Sequence, residues 1–201
     1  MNIAVYSGSF NPLHIGHLAI IRHMIEVAGF DMVYLIVSPK NPLKDGISSD
    51  SGRERYKAAV EAVERRFLRS GLSASGRNDS KAVEARVKVD DIELNMPEPH
   101  YTIRTLDALK EREPDNRFTL VMGADNLADI RRWRDYARIL KEYSVAVFPR
   151  EGHDLTEIKQ DLLKEDPAYK IQILDAEMVD ISSTQIREAI VRGEDISHCL
   201  M

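Results

Sequence analysis

Apolar residues follow two rhythms along this chain, and the alternation between them predicts its architecture. Ile3 to Tyr6 is a short apolar run that predicts a strand entering the turn Gly8-Ser9-Phe10-Asn11-Pro12. Leu18, Ile21, Ile25 and Ala28 then recur at helical spacing until Gly29, a natural stop. Met32 to Val37 is β-branched and too short for a helix, so it predicts a buried parallel strand. It ends in Ser38-Pro39-Lys40-Asn41-Pro42-Leu43-Lys44, a stiff basic loop past a strand's carboxyl end, where open α/β sheets seat ligands.

Arg53 to Arg69 predicts an amphipathic helix, with Tyr56, Val60, Val63 and Phe67 inward and its charges in solvent. Gly71 to Ala82, rich in Ser and Gly, predicts an exposed, mobile loop. Val87 to Leu94 predicts a strand, broken by Met96-Pro97-Glu98-Pro99, and Tyr101 opens a helix that runs through Leu109 and stops before Pro114. Phe118 to Met122 predicts a strand ending at Gly123-Ala124-Asp125. A helix over Asn126 to Lys141, broken near Trp133, carries Arg131, Arg132, Arg134 and Arg138. Tyr143 to Phe148, closing on Pro149-Arg150, and Lys170 to Leu174 predict two more strands, while Leu155 to Leu163 and Ser183 to Val191 predict helices. Such alternation implies an α/β fold: a doubly wound, Rossmann-like parallel sheet with helices on both faces.

Composition narrows the class. A chain of 201 residues, 43% hydrophobic, is expected to form one domain over 1–201. A net charge of -5 speaks against nucleic acid as a partner and leaves small anions open. One cysteine, Cys199, excludes an internal disulfide framework and fits a reducing compartment. With no signal-like start and no long apolar run, the chain is expected to be soluble and cytoplasmic, with no membrane partner. Oligomeric state is open.

The first turn holds the candidate chemistry. A strand followed by a Gly-rich turn and a helix start is suited to phosphate, because the first helical turn has free N–H groups and a positive dipole end. Gly8 lets backbone approach a ligand and Gly16 lets something lie close over the first turn. His14 and His17, three residues apart, share one helix face and can point at one ligand. Imidazole donates a hydrogen bond when neutral and adds charge when protonated. A zinc pair or ordinary surface histidines are the competing readings. A second anion seat is offered by Ser182, Ser183 and Thr184 at a helix start, with Arg187 one turn in. Absence of Gly-x-Gly-x-x-Gly argues against ordinary dinucleotide binding at the first turn.

His14-Ile15-Gly16-His17 resembles the His-x-Gly-His motif of the nucleotidyltransferase superfamily, and Gly-Ser-Phe-Asn-Pro before it resembles the nicotinate and nicotinamide mononucleotide adenylyltransferases. Ile181-Ser182-Ser183-Thr184-Gln185-Ile186-Arg187 resembles that family's second motif, and Tyr101-Thr102-Ile103-Arg104-Thr105-Leu106 resembles its Tyr-Thr-x-x-Thr-Leu segment. The resemblance implies adenylyl transfer from ATP to a pyridine mononucleotide, with Mg2+ on the ATP oxygens. His14, His17, Lys44 and Arg187 would carry catalysis. Gly8, Ser9, Phe10, Gly16, His17, Gly123, Asp125, Ile181, Ser182, Ser183 and Arg187 would bind ATP. Asn11, Lys44, Tyr101, Thr102, Ile103, Trp133, Arg134 and Arg150 would bind the pyridine nucleotide. From the residues alone, Asp125 reads as a helix cap or a ribose acceptor, Lys44 as a loop lysine or a phosphate ligand, and Trp133 as core or a stacking platform. The acid is the favoured acceptor. Nicotinamide mononucleotide, phosphopantetheine or glycerol phosphate acceptors, or a nucleotide sensor without turnover, are the rivals.

Overall fold

The computed structural model describes residues 1–39, 52–68, 86–176 and 181–201; Lys44 and the Gly71 to Ala82 loop lie outside them. The strands are β1 (Asn2–Gly8), β2 (Met32–Val37), β3 (Val87–Asp90), β4 (Arg117–Gly123), β5 (Val145–Phe148) and β6 (Ile171–Ile173). They form one sheet in the order β3-β2-β1-β4-β5-β6, with every neighbouring pair parallel. The helices are α1 (Ile15–Glu26), α2 (Gly52–Leu68), α3 (Thr102–Arg112), α4 (Ala124–Ala128), α5 (Tyr136–Arg138), α6 (Leu155–Glu165) and α7 (Ser183–Val191). The strand order reverses between β1 and β4, which opens a crevice at the carboxyl ends of those two strands.

Alternation along β1 divides the core. Ile3 and Val5 face one side, where Ile103, Leu106 and Leu109 of α3 cover them, and Ala4 and Tyr6 face the other. There, Leu18, Ile21, Met24 and Ile25 of α1 and Ala59 and Val63 of α2 close the second layer. Burial on both faces explains why these strands read as near-continuous apolar runs rather than alternating ones. Gly29 follows α1 at φ 76, the left-handed stop its position suggested.

Four boundaries depart from the sequence reading, each for a local reason. The strand at Val87 ends at Asp90 rather than Leu94, because the Asp90 carboxylate accepts the Ile92 N–H at 3.0 Å and starts a 3-10 turn, Ile92–Asn95. Helix α2 buries Val63 as its stripe predicted and keeps Tyr56 and Val60 half-buried, with Tyr56 against the core, but it buries Arg55 and Ala59 as well; the Phe67 side chain lies outside the described residues. The Asn126 to Lys141 helix is several short turns: α4, a 3-10 turn over Ile130–Arg132, Trp133 extended, Asp135 left-handed at φ 52, then α5 continuing as a π turn, Ile139–Tyr143. That π turn leaves Tyr143 outside β5, with its hydroxyl donating to Asp107 at 2.6 Å.

Candidate active site

Chain leaving β1 folds back over its own glycine. A side chain at Gly8 would lie 3.2 Å from the Phe10 ring, so the space freed there is filled by Phe10 rather than left for a ligand. Phe10 takes φ 45, uncommon for an aromatic residue, and is held there by burial, being 3% exposed. Its ring meets His17 edge-on, with centroids 5.2 Å apart, and Tyr6 lies 6.0 Å from the same imidazole.

The two histidines meet, though not as neighbours on one helix face. His14 is the extended residue that caps α1, with φ -140, and His17 is in the first turn. Their rings lie 3.7 Å apart between centroids. The His17 Nδ1 accepts the His14 backbone N–H at 3.2 Å, which places the proton of a neutral His17 on Nε2 and makes that nitrogen a donor. His14 is 5% exposed, and its backbone forms an isolated antiparallel bridge with Leu200. Burial first, and then the Arg150 charge, brings the His14 imidazole down to about 4. His17 is held well below the usual histidine range by burial, then by His14 and Arg150. Both rings are therefore neutral at pH 7 in the ligand-free protein. The His14 Nδ1 is buried with no hydrogen-bond partner among the described residues. Those residues hold no group of three or more His, Cys, Asp or Glu arranged for a metal ion.

The second motif closes against the first. Ser182 caps α7 by accepting the Gln185 N–H at 3.2 Å, while Gln185 Oε1 accepts the Ser182 N–H at 2.7 Å. The Ser183 hydroxyl donates to the Pro12 carbonyl at 3.2 Å, and Arg187 Nη1 donates to the Asn11 carbonyl at 2.8 Å. A side chain at Gly16 would lie 3.0 Å from Ile181 and 3.0 Å from His14 Nδ1, so Gly16 is the contact point between the two helix starts. The first turns of α1 and α7 thus sit side by side, each with the positive dipole end that attracts phosphate.

The remaining candidates divide between two sides. Gly123 ends β4 and caps α4, and exposed Asp125 folds back on it, 2.5 Å from where a side chain on Gly123 would stand. Arg150 lies with its guanidinium 5.4 Å from the Phe148 ring centroid, and its charge reaches both histidines. Tyr101 caps α3 and Thr102 opens it, both half-buried; Ile103 is in the core at 2% exposed, so only its backbone can serve a ligand. Trp133 is half-buried against the same apolar cluster. Arg134 is exposed and pairs with Asp135 at 3.4 Å.

The buried groups that escaped the sequence reading include two next to this site. Arg55 is one, and the other is Glu93, 3% exposed, which accepts the Thr105 hydroxyl at 2.8 Å. Arg55 was legible in principle, since it stands four residues before Ala59 and eight before Val63 on a single helical stripe.

A parallel sheet that reverses order beside a His-x-Gly-His turn defines a nucleotidyltransferase-like site, and the comparisons agree. The sequence model described as cytidylyltransferase-like matches residues 5–189, and the chain belongs to that family. Within it, similar chains are described as probable nicotinate-nucleotide adenylyltransferases. It is 36% identical over 200 residues to a probable nicotinate-nucleotide adenylyltransferase of Flavobacterium johnsoniae, covering 100% of this chain and 92% of the relative. A protein of the same description from Bacteroides fragilis is 35% identical over 196 residues, covering 98% of this chain and 85% of its own. Among solved structures, the nicotinic acid mononucleotide adenylyltransferase of Plasmodium falciparum in complex with NaAD has the same fold. Its TM-score is 0.72 at 20% identity, covering 97% of this chain and 86% of that one.

Proposed function

We propose that this protein transfers the adenylyl group of ATP to nicotinic acid mononucleotide, giving nicotinic acid adenine dinucleotide and pyrophosphate in NAD biosynthesis. The observation that supports this most is the meeting of two phosphate-type helix starts at Gly16 and Ile181, tied by Ser183 to Pro12 and by Arg187 to Asn11. The 5′-phosphate of the mononucleotide attacks the α-phosphorus of ATP; a P–O bond forms, the α,β-anhydride bond breaks, and pyrophosphate leaves. No side-chain nucleophile is needed, because the attacking oxygen is already anionic.

In this reading the N–H groups at Gly16 and His17, the His17 Nε2, the Ser183 turn and Arg187 hold the triphosphate and take up the charge that builds at the α-phosphate and leaving group. Arg150 adds positive potential beside the histidines. Asp125, folded at the end of β4, would accept from the adenosine ribose, and the first turn of α3 at Tyr101 to Ile103, with Trp133, would receive the pyridine ring and its carboxylate. Lys44 keeps the phosphate role that the family resemblance implies. Mg2+ fits as a passenger of ATP, since the site's donors are N–H groups suited to phosphate oxygens rather than a carboxylate cage. When bound, it neutralises phosphate charge. A single domain and a cytoplasmic setting with small-molecule partners complete the reading; among the described residues, no helix is long and apolar enough to cross a membrane.

A pyrophosphate-release assay with ATP tests this. Nicotinic acid mononucleotide should be turned over with a clearly higher kcat/KM than nicotinamide mononucleotide. Release with phosphopantetheine or glycerol phosphate alone, or ATP binding without release on any acceptor, would overturn it.

A further inference from the structure

Among the described residues of α2, one charged side chain is buried with the apolar stripe. Arg55 is 4% exposed, and its planar guanidinium spans two loops: Nη1 donates to the Ser9 carbonyl at 2.9 Å and to the Ser38 carbonyl at 2.8 Å, and Nη2 donates to the Pro39 carbonyl at 2.8 Å. Ser9 belongs to the turn leaving β1, and Ser38 and Pro39 to the chain leaving β2. Helix α2 is seated for this by Gly52, where a side chain would stand 3.1 Å from the Pro39 Cα and 2.8 Å from Leu94.

The consequence lies at the next peptide. A trans peptide points its C=O and N–H to opposite edges. Drawing the Ser9 carbonyl toward α2 therefore turns the Phe10 N–H away from α2, and Phe10 at φ 45 carries the chain from there into Asn11, whose carbonyl receives Arg187. One buried cation thus sets the entry to the His14 turn and, through Ser38 and Pro39, the start of the basic loop after β2. Lysine reproduces it poorly, because its one ammonium nitrogen cannot take the place of two, Nη1 on the Ser9 and Ser38 carbonyls and Nη2 on the Pro39 carbonyl.

We infer that Arg55 is a positioning residue for adenylyl transfer: it fixes the Ser9–Phe10 peptide and the Ser38–Pro39 chain in the arrangement that receives ATP, without touching substrate. This inference rests on the adenylyl-transfer reading above. Arg55→Lys and Arg55→Gln, compared with wild type, test it by thermal melting, ATP affinity by calorimetry, and pyrophosphate release. Both folded variants should bind ATP more weakly and lose kcat at saturating substrate, each on the order of tenfold to a hundredfold, as misplaced loops cost in general. A folded variant within twofold of wild type in both measurements would overturn the inference. Should wild type itself release no pyrophosphate, the activity reading fails, and the change in ATP affinity alone decides the role of Arg55.

Discussion

His17 is informative because its protonation and its position have one cause. Packed between Phe10, Tyr6 and His14, it stays neutral, and its Nδ1 is spent on the His14 N–H, so the donor offered to a ligand is Nε2. A donor that strengthens as charge builds in the transition state is worth about a hundredfold or more in turnover. His17→Ala should lose that much kcat while melting near wild type; a folded variant with near-normal kcat would remove His17 from the catalytic set. His14 makes a second claim, in stability. The folded protein holds it at about 4 while the unfolded chain returns to 6.5, so between these values the unfolded state binds more protons. Stability is then fully present above pH 6.5 and is lost as pH falls toward 4, by about 3 kcal/mol at full extent. Denaturant titrations at pH 7 and pH 4.5 should show His14→Gln losing clearly less stability on acidification than wild type. Equal losses would contradict the assignment.

Among the elements, what matters is how two short helix starts are brought within a side chain of each other. Gly16 lies under Ile181 and beside His14, each 3.0 Å from a Cβ there, and neither neighbour is the loose end of a long chain. Gly16→Ala should push the first turn of α7 from the first turn of α1, weakening ATP binding measured by calorimetry and destabilising the fold by about 1 to 3 kcal/mol. Unchanged ATP affinity would mean the two helix starts are not one seat. The same elements show where the sequence was readable. Both motifs stood out because Gly, Ser and His at helix starts have a local physical purpose. His14 was misplaced onto the helix face because spacing alone cannot tell the capping residue from the first turn. On helix α2 the apolar stripe was readable but its Arg55 edge was not, because the acceptors of Arg55 are carbonyls from two distant loops. At Asp90, too, a side-chain contact invisible to periodicity ended a strand.

Across the whole molecule, the sheet order accounts for the site better than any residue does. Because β1 and β4 are neighbours while their following chains diverge, Gly8 and Gly123 end side by side and leave a crevice that α1, α4 and α7 border. Alternation of strands and helices made that topology legible early, since right-handed crossovers leave few other arrangements. The acceptor side was less legible: Ile103 is buried, Arg134 is paired with Asp135, and the proposed function leaves recognition of the pyridine ring to the backbone at the start of α3 and to Trp133, whose geometry no residue pattern encodes. The central claim is that α1 and α7 hold a single triphosphate together. A crystal structure with a non-hydrolysable ATP analogue tests it directly. Phosphate oxygens within about 3 Å of both the Gly16 to His17 turn and the Ser183 to Arg187 turn are predicted. Phosphates resting on one turn alone, or outside the crevice, would contradict it.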